Sequence, residues 1–291
     1  MNDIDKPKLP NTPRLPNTKV FVEGRYRKLS RDLPQTVFFC PECKGHPRRR
    51  RNCARCEGFG KLSRDSVQEL VGWVAGAAFK TRKNKFHGAG REDVDVRMLG
   101  EGRPFVLEIL NPKQLDVDLA ALEAEINRRN AGRLEVLGLH WTEKNRVRVI
   151  KETPHAKEYE AKVEADGEPQ AETMRSLLGK RISVVQQTPA RVAHRRADKA
   201  RDKWVELVGF TRIEGPEVPQ GRTHWSVRIR TEHGTYVKEV VNGESGATKP
   251  SLAELFGVPC RCLELDVLSI LDVEGKAEPP RPARIAFGEN I

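Results

Sequence analysis

Four of the six cysteines fall into two CxxC pairs, Cys40 with Cys43 and Cys53 with Cys56, nine residues apart. Two such knuckles let four thiolates converge on one Zn²⁺ at about 2.3 Å each, and four sulfurs leave no open position for a reacting water. The expected role is therefore structural. In a reducing compartment this pattern reads as metal rather than disulfide. A redox pair would need a thioredoxin-like strand and helix around it. The His-x-Glu partner of a zinc deaminase is also missing ahead of Cys40-Pro41-Glu42-Cys43. Between the knuckles stand Arg48, Arg49, Arg50 and Arg51. On a metal-held loop they form either a phosphate clamp or a solvated basic loop. Cys260 and Cys262, spaced CxC inside a strand pattern, read as ordinary buried cysteines.

The second chemical candidate is the run from Phe86 to Arg97, FHGAGREDVDVR. A glycine-rich turn leads into a stretch carrying acids and bases together. There a carboxylate can be held against a substrate while a neighbouring cation keeps it ionised. The residues alone allow a plainer reading, a charged edge strand after a loop.

These groups need elements to position them. Ser63 or Asp65 caps a helix expected to reach residue 80, with Val67, Leu70, Val71, Val74 and Ala78 on one face. Strands are expected over 93–99 and 104–110, joined by a turn at Gly100-Glu101-Gly102, then a helix over 115–130 and a strand over 134–141. Later strands are expected over 158–165, 181–187, 204–212, 224–231, 235–242 and 262–270, with a short helix over 251–256. Long antiparallel stretches with a few helices predict an α+β sheet domain. The organisation that follows is a disordered or extended proline-rich arm at 1–36, a four-cysteine zinc module at 37–61, the sheet domain at 62–275 and a tail at 276–291.

Fifty-two Lys and Arg against 41 Asp and Glu give a formal charge of +11, which favours a polyanionic partner without separating RNA from DNA. The longest apolar run, near Leu70 to Phe79, is too short to span a membrane. No signal-peptide pattern is present, so the expectation is a cytoplasmic protein without membrane contact.

Several motifs together also match a known family. The run GREDVDVRMLGEGRPF, from Gly90 to Phe105, closely resembles the catalytic motif of the Pus ten family of archaeal and eukaryotic tRNA pseudouridine synthases. The resemblance continues through Gln187-Thr188-Pro189, His194-Arg195-Arg196-Ala197-Asp198, Gly234-Thr235-Tyr236-Val237-Lys238-Glu239 and Thr248-Lys249-Pro250-Ser251. The CxxC pairs and Ser66-Val67-Gln68-Glu69-Leu70 look like the family's join between zinc module and catalytic domain. The resemblance implies a pseudouridine synthase fold, preceded by the zinc module, and isomerisation of one or two uridines in the TΨC loop of tRNA. It implies no organic cofactor.

Residue by residue, Asp93 matches the catalytic aspartate, following Arg91 as in the Arg-x-Asp of related synthases. Tyr159, in Lys157-Glu158-Tyr159-Glu160-Ala161, is similar to the active-site tyrosine, although a buried strand aromatic is the alternative. Lys238 resembles the basic residue paired with the aspartate, or else contacts phosphate. Arg191, Arg195 and Arg196, in a segment rich in Arg and Lys, are expected to touch RNA phosphates. Family members usually carry a long N-terminal region with a THUMP-type RNA-binding domain, whereas 39 residues precede Cys40 here. The zinc module and basic surface are then expected to grip tRNA alone or with a protein partner. The alternative is a non-catalytic zinc-containing RNA-binding protein derived from such an enzyme. Cys53 to Gly60 also fits the CxxCxGxG repeat of DnaJ-type chaperones, but those carry four repeats and a His-Pro-Asp that this sequence lacks.

Overall fold

The computed structural model describes residues 18–195, 197–272 and 275. Strands and helices follow in the order β1 (Lys19–Lys28), α1 (Pro47–Arg50), α2 (Val67–Ala78), β2 (Asn84–Gly88), β3 (Arg97–Leu110), α3 (Leu119–Arg129), β4 (Leu134–Thr142) and α4 (Lys144–Glu152). The second half continues with β5 (Lys157–Ala165), α5 (Ala171–Leu177), β6 (Arg181–Gln186), β7 (Arg201–Ile213), β8 (Thr223–Thr231), α6 (Val237–Asn242), β9 (Thr248–Lys249), α7 (Leu252–Phe256) and β10 (Cys260–Ile270). The strands make one sheet in the order β4-β1-β3-β10-β5-β8-β7-β6-β9, with β2 added on β3. Every pairing is antiparallel except β3 with β10, which meet in parallel at Arg97 with Asp266 and Met98 with Val267. This is the α+β architecture, a mostly antiparallel sheet flanked by helices, that the strand-rich pattern predicts.

Strand β1 overturns the expected loose arm for residues 19–28. Val22, Tyr26 and Lys28 recur at strand spacing and are buried, and β1 runs between β3 and β4. The alternation is hard to see because Gly24 and Lys28 occupy two of its core-side positions. The Lys28 ammonium is accommodated there by three backbone carbonyls, at 2.8 to 2.9 Å. The sheet domain thus begins at β1, ahead of the cysteine module, and Met1 to Asn17 and 276–291 lie outside the described residues.

A second correction concerns 93–110. The expected hairpin turn at Gly100-Glu101-Gly102 is a kink within the continuous strand β3. Both glycines have positive φ, +54° and +72°, and a Cβ at Gly100 would lie 1.9 Å from the Leu268 oxygen. A Cβ at Gly102 would meet the Tyr26 carbonyl oxygen at 2.8 Å, so β1 and β10 can approach the kink only where side chains are missing. The kink lets β3 pair with β10 at its start and with β1 and β2 beyond, which ties the two halves of the sheet together.

Third, the expected strand over 235–242 is helix α6. Val237, Val240 and Val241 are buried at helical spacing, and Gly243 ends the helix at φ +76°. Their β-branched side chains had favoured a strand. Asp93, expected on a strand, lies in the loop before Arg97.

Helix α2 starts where the Ser66 hydroxyl accepts from the Glu69 amide at 3.2 Å, and buries Val67, Leu70, Val71, Val74 and Ala75. The main core joins α2 and α3 to one part of the sheet and α6 and α7 to the other. A smaller cluster of Phe21, Ala89, Val106 and Ile150 lies under α4. No helix among the described residues is long and apolar enough to cross a membrane.

Candidate active site and cysteine centre

The loop between β2 and β3 carries Asp93, and a buried polar network fixes that loop. The Arg103 side chain, 1% exposed, donates from Nε to Glu92 Oε2 at 2.8 Å and from Nη1 to the Ala89 carbonyl at 2.8 Å. The Tyr26 hydroxyl lies 2.9 and 3.0 Å from the two Glu92 oxygens and accepts from Gln35 Nε2 at 2.8 Å. Burial and then the Glu92 charge push the Tyr26 hydroxyl well above its ordinary pKa. Lys28 Nζ donates to the carbonyls of Asp93 at 2.9 Å, Val94 at 2.8 Å and Leu33 at 2.9 Å. Three acceptors match the three protons of an ammonium, so this clasp requires charged Lys28. Burial lowers its pKa to about 8. The backbone at Asp93 is therefore held from behind, and its side chain is left to face the cleft.

That cleft has a volume of about 590 Å³ and gathers all four expected catalytic residues: Arg91, Asp93, Tyr159 and Lys238. Their pairing differs from expectation. Asp93 Oδ2 accepts from Arg191 Nη1 at 2.6 Å. Lys238, at the start of α6, instead reaches Asp95, with Nζ 2.7 and 3.0 Å from its two oxygens. The Arg91 guanidinium sits over the Phe38 ring, 4.7 Å from its centroid, and so touches the edge of the cysteine module. Arg191, expected on RNA phosphate, is committed to Asp93 and to the buried Glu239, where Nε and Nη2 donate at 2.6 and 3.1 Å. Burial opposes charge on Arg191, but Glu239 and Asp93 more than offset it and hold its pKa above the ordinary value. A neutral or departing Arg191 is therefore disfavoured, and Asp93 keeps a fixed cation beside it.

Tyr159 stands on β5, where burial pushes its hydroxyl up to about 12 and keeps it un-ionised at neutral pH. Its ring can form a cleft wall. The residues that sequence reasoning missed are Glu92, Arg103, Tyr26, Lys28 and Gln35. Glu92 and Arg103 lie inside the GREDVDVRMLGEGRPF run, whereas Tyr26 and Lys28 were hidden in the supposed arm. Arg195 closes the 3-10 helix Ala190–Arg195, and Arg196 lies outside the described residues.

The cysteine module is built as its spacing predicts. Sγ of Cys40, Cys43, Cys53 and Cys56 lie within 4.8 Å of one another, with Cys40 to Cys53 and Cys43 to Cys56 each at 3.7 Å. A tetrahedron with metal–sulfur bonds of about 2.3 Å has edges of about 3.8 Å, so this donor set fits one four-coordinate ion. The Gly60 amide donates to Cys56 Sγ at 3.1 Å. Arg48, Arg49, Arg50 and Arg51 lie on and just after α1, all exposed and without an acidic partner among the described residues. Cys260 is buried and stands apart from this centre.

One mostly antiparallel sheet, an acid-bearing cleft braced by buried cations and an adjoining four-thiol centre define an α+β protein with a charged cleft beside a metal-ligand set among the described residues. Residues 21–271 match the family described as Pus10, C-terminal, and the chain belongs to that family. It is 42% identical over 252 residues to a tRNA pseudouridine synthase Pus10 of Methanothrix thermoacetophila, covering 86% of this chain and 53% of that one. With the protein of the same name from Methanothermobacter marburgensis it shares 44% over 253 residues, covering 86% and 60%. The chain thus spans between half and three fifths of the length of these relatives. Among solved structures, the crystal structure of a Cbf5-Nop10-Gar1 complex aligns with 70% of this chain and 45% of its own, at TM-score 0.37 and 18% identity. That likeness is too slight to define the fold.

Proposed function

We propose that the chain is the catalytic part of a cytoplasmic tRNA pseudouridine synthase, isomerising uridine to pseudouridine in the TΨC loop. The observation that carries this reading is Asp93, held by its backbone on Lys28, paired with Arg191 and facing a cleft shared with Tyr159. The reaction breaks the uracil N1–C1′ bond, turns the base and joins C5 to C1′, after which the C5 proton leaves to solvent and N1 takes one up. The target base must first leave its stack, which costs a few kcal/mol and is easiest in a loop. Stacking on Tyr159 would return about 1–3 kcal/mol. Asp93 begins the chemistry by attacking the nucleotide or by taking the ribose 2′ proton. Arg191 fixes the carboxylate, and Arg91, Arg195 and Arg196 with Arg48 to Arg51 would contact phosphates. No redox step or group donor is involved, so no organic cofactor is called for.

The decisive assay is tritium release from C5-labelled uridine in a tRNA transcript, with the product checked as pseudouridine by mass spectrometry. Stoichiometric release by the wild-type chain is expected; no release under conditions where the transcript binds would defeat the reading. A further expectation concerns the cation beside Asp93. Arg191→Met should lower turnover by about a hundredfold, the scale of losing one fixed charge at a reacting centre. Arg191→Lys should recover only part of that loss, because an ammonium cannot fork between two carboxylates. Single-turnover rates of both variants test this.

The four thiols suit Zn²⁺, which would hold the Arg48 to Arg51 loop in shape and supply no chemistry to the reaction. One zinc per chain is expected by elemental analysis. Stripping it with a chelator under reducing conditions should increase protease cleavage within residues 37–61 and weaken tRNA binding. Unchanged cleavage after metal loss would remove the ion from its structural role.

A further inference from the structure

The wall of the cleft around Lys157 carries positive charge that the steps above do not use. Lys157 opens β5 two residues before Tyr159, so both side chains leave the strand on the same face, and both line the cleft. Lys157 is 9% exposed, and its ammonium donates to the carbonyl of His155 at 3.0 Å. No carboxylate lies within ion-pair distance of it among the described residues. An ammonium carries three protons, so two are left without a protein acceptor there.

The charged groups facing Lys157 come from several elements. Arg103 approaches from β3, Arg201 and Lys203 line the same cleft from β7, and His233 lines it from the turn after β8, where Glu232 acts on His233, with His155 just ahead of β5 itself. The acids near these groups are already engaged: Glu232 with Lys203 at 2.8 Å, Glu92 with Arg103 and Asp93 with Arg191. Arg201 is spent on Thr188 Oγ1 at 2.7 Å and on the Lys199 and Ala197 carbonyls. His155 is 3.0 Å from the Leu271 carbonyl, and β10 adds only apolar Leu265 and Val267 to the lining. Burial and then Arg103 lower Lys157 to about 7. Burial and then Lys157 and Lys203 lower His233. Cations that depress one another inside a cleft create a field that a bound anion relieves.

We propose that Lys157 and His233 form a subsite for a backbone phosphodiester next to the nucleotide held in the cleft. The proposal rests on reading the cleft as a uridine pocket, and it gives the substrate a second point of attachment beside the reacting base. A bound phosphodiester favours the charged forms, so binding takes up protons near neutrality. Both pKa values are depressed in the free protein. Affinity is therefore greatest at pH below about 7, where Lys157 is already charged, and falls as pH rises through that value.

Calorimetric titration of the intact chain with the dinucleotide UpU and with free uridine, between about pH 6 and about pH 9, tests this. UpU should bind about tenfold or more tightly than uridine at the acid end, the scale of one charged hydrogen bond, and lose most of that preference at the alkaline end. Repeating the titration in buffers of different ionisation enthalpy should show proton uptake with UpU and none with uridine. Lys157→Met should erase the preference, and on a tRNA transcript it should raise KM about tenfold with a smaller change in kcat. His233→Asn, at an exposed position, should weaken the preference in part and serves if Lys157→Met fails to fold. Equal affinity for UpU and uridine at every pH would overturn the subsite. So would a Lys157→Met variant that lowers kcat alone, because Lys157 would then be moving a proton. If the wild-type chain isomerises uridine and UpU shows no preference, the subsite fails while the enzyme stands. If no isomerisation occurs, the dinucleotide titration still reads the subsite directly.

Discussion

Asp93→Asn should leave the protein folded and reduce pseudouridine formation by about ten-thousandfold, the upper range for removing a reacting acid–base group. The fold should tolerate the change because the loop is anchored through backbone carbonyls. Lys28 binds the main chain of Asp93 and Val94 and makes no contact with the carboxylate. The side-chain pair that is lost is about one-third exposed, with Asp93 at 34% and Arg191 at 36%. Such pairs contribute about 0–1 kcal/mol, so a shift in melting temperature should be small. Arg191 also keeps its Glu239 partner in the variant. Asparagine has nearly the same shape as aspartate but can neither attack as an anion nor accept a proton at neutral pH. Single-turnover tritium release separates this from a binding defect. A rate within tenfold of wild type would mean that some other group does the chemistry.

Glu92→Gln should have the largest effect on stability, about 3–5 kcal/mol, because it leaves the Arg103 guanidinium buried without a counter-charge. Both side chains are 1% exposed, so water cannot take the place of the lost carboxylate. Tyr26 loses its anionic acceptor in the same step. Urea unfolding with an unchanged slope and a lowered midpoint is the expected signature. Replacing Glu92 by leucine and Arg103 by methionine together should recover part of the loss, because no charge then remains buried. A loss below about 1 kcal/mol for Glu92→Gln would show that the Glu92–Arg103 pair does not brace the Asp93 loop.

The amino-acid sequence by itself determined the features that depend on local spacing. The two CxxC pairs sit close enough in the chain for four thiols to meet, and the Gly90 to Phe105 run carried Asp93, Glu92 and Arg103 together. Ser251 caps the short helix expected over 251–256, whereas the cap of α2 is Ser66 and not Ser63 or Asp65. Where residues far apart must meet, the tertiary structure decided. Lys28 reads as a solvated charge in a proline-rich arm, yet the carbonyl of nearby Leu33 and those of distant Asp93 and Val94 surround it. Gly100 and Gly102 spell a turn locally, yet the approach of Leu268 and Tyr26 backbones makes them a kink in one strand. Val237, Val240 and Val241 favour a strand by their branching, but burial along one helical face prevails. Arg191 lies 98 residues from Asp93, and Lys238 lies 143 from Asp95, so no local pattern could say which cation serves which acid. Charge pairing depends on distance in space, and only the closure of the sheet around the cleft sets that distance.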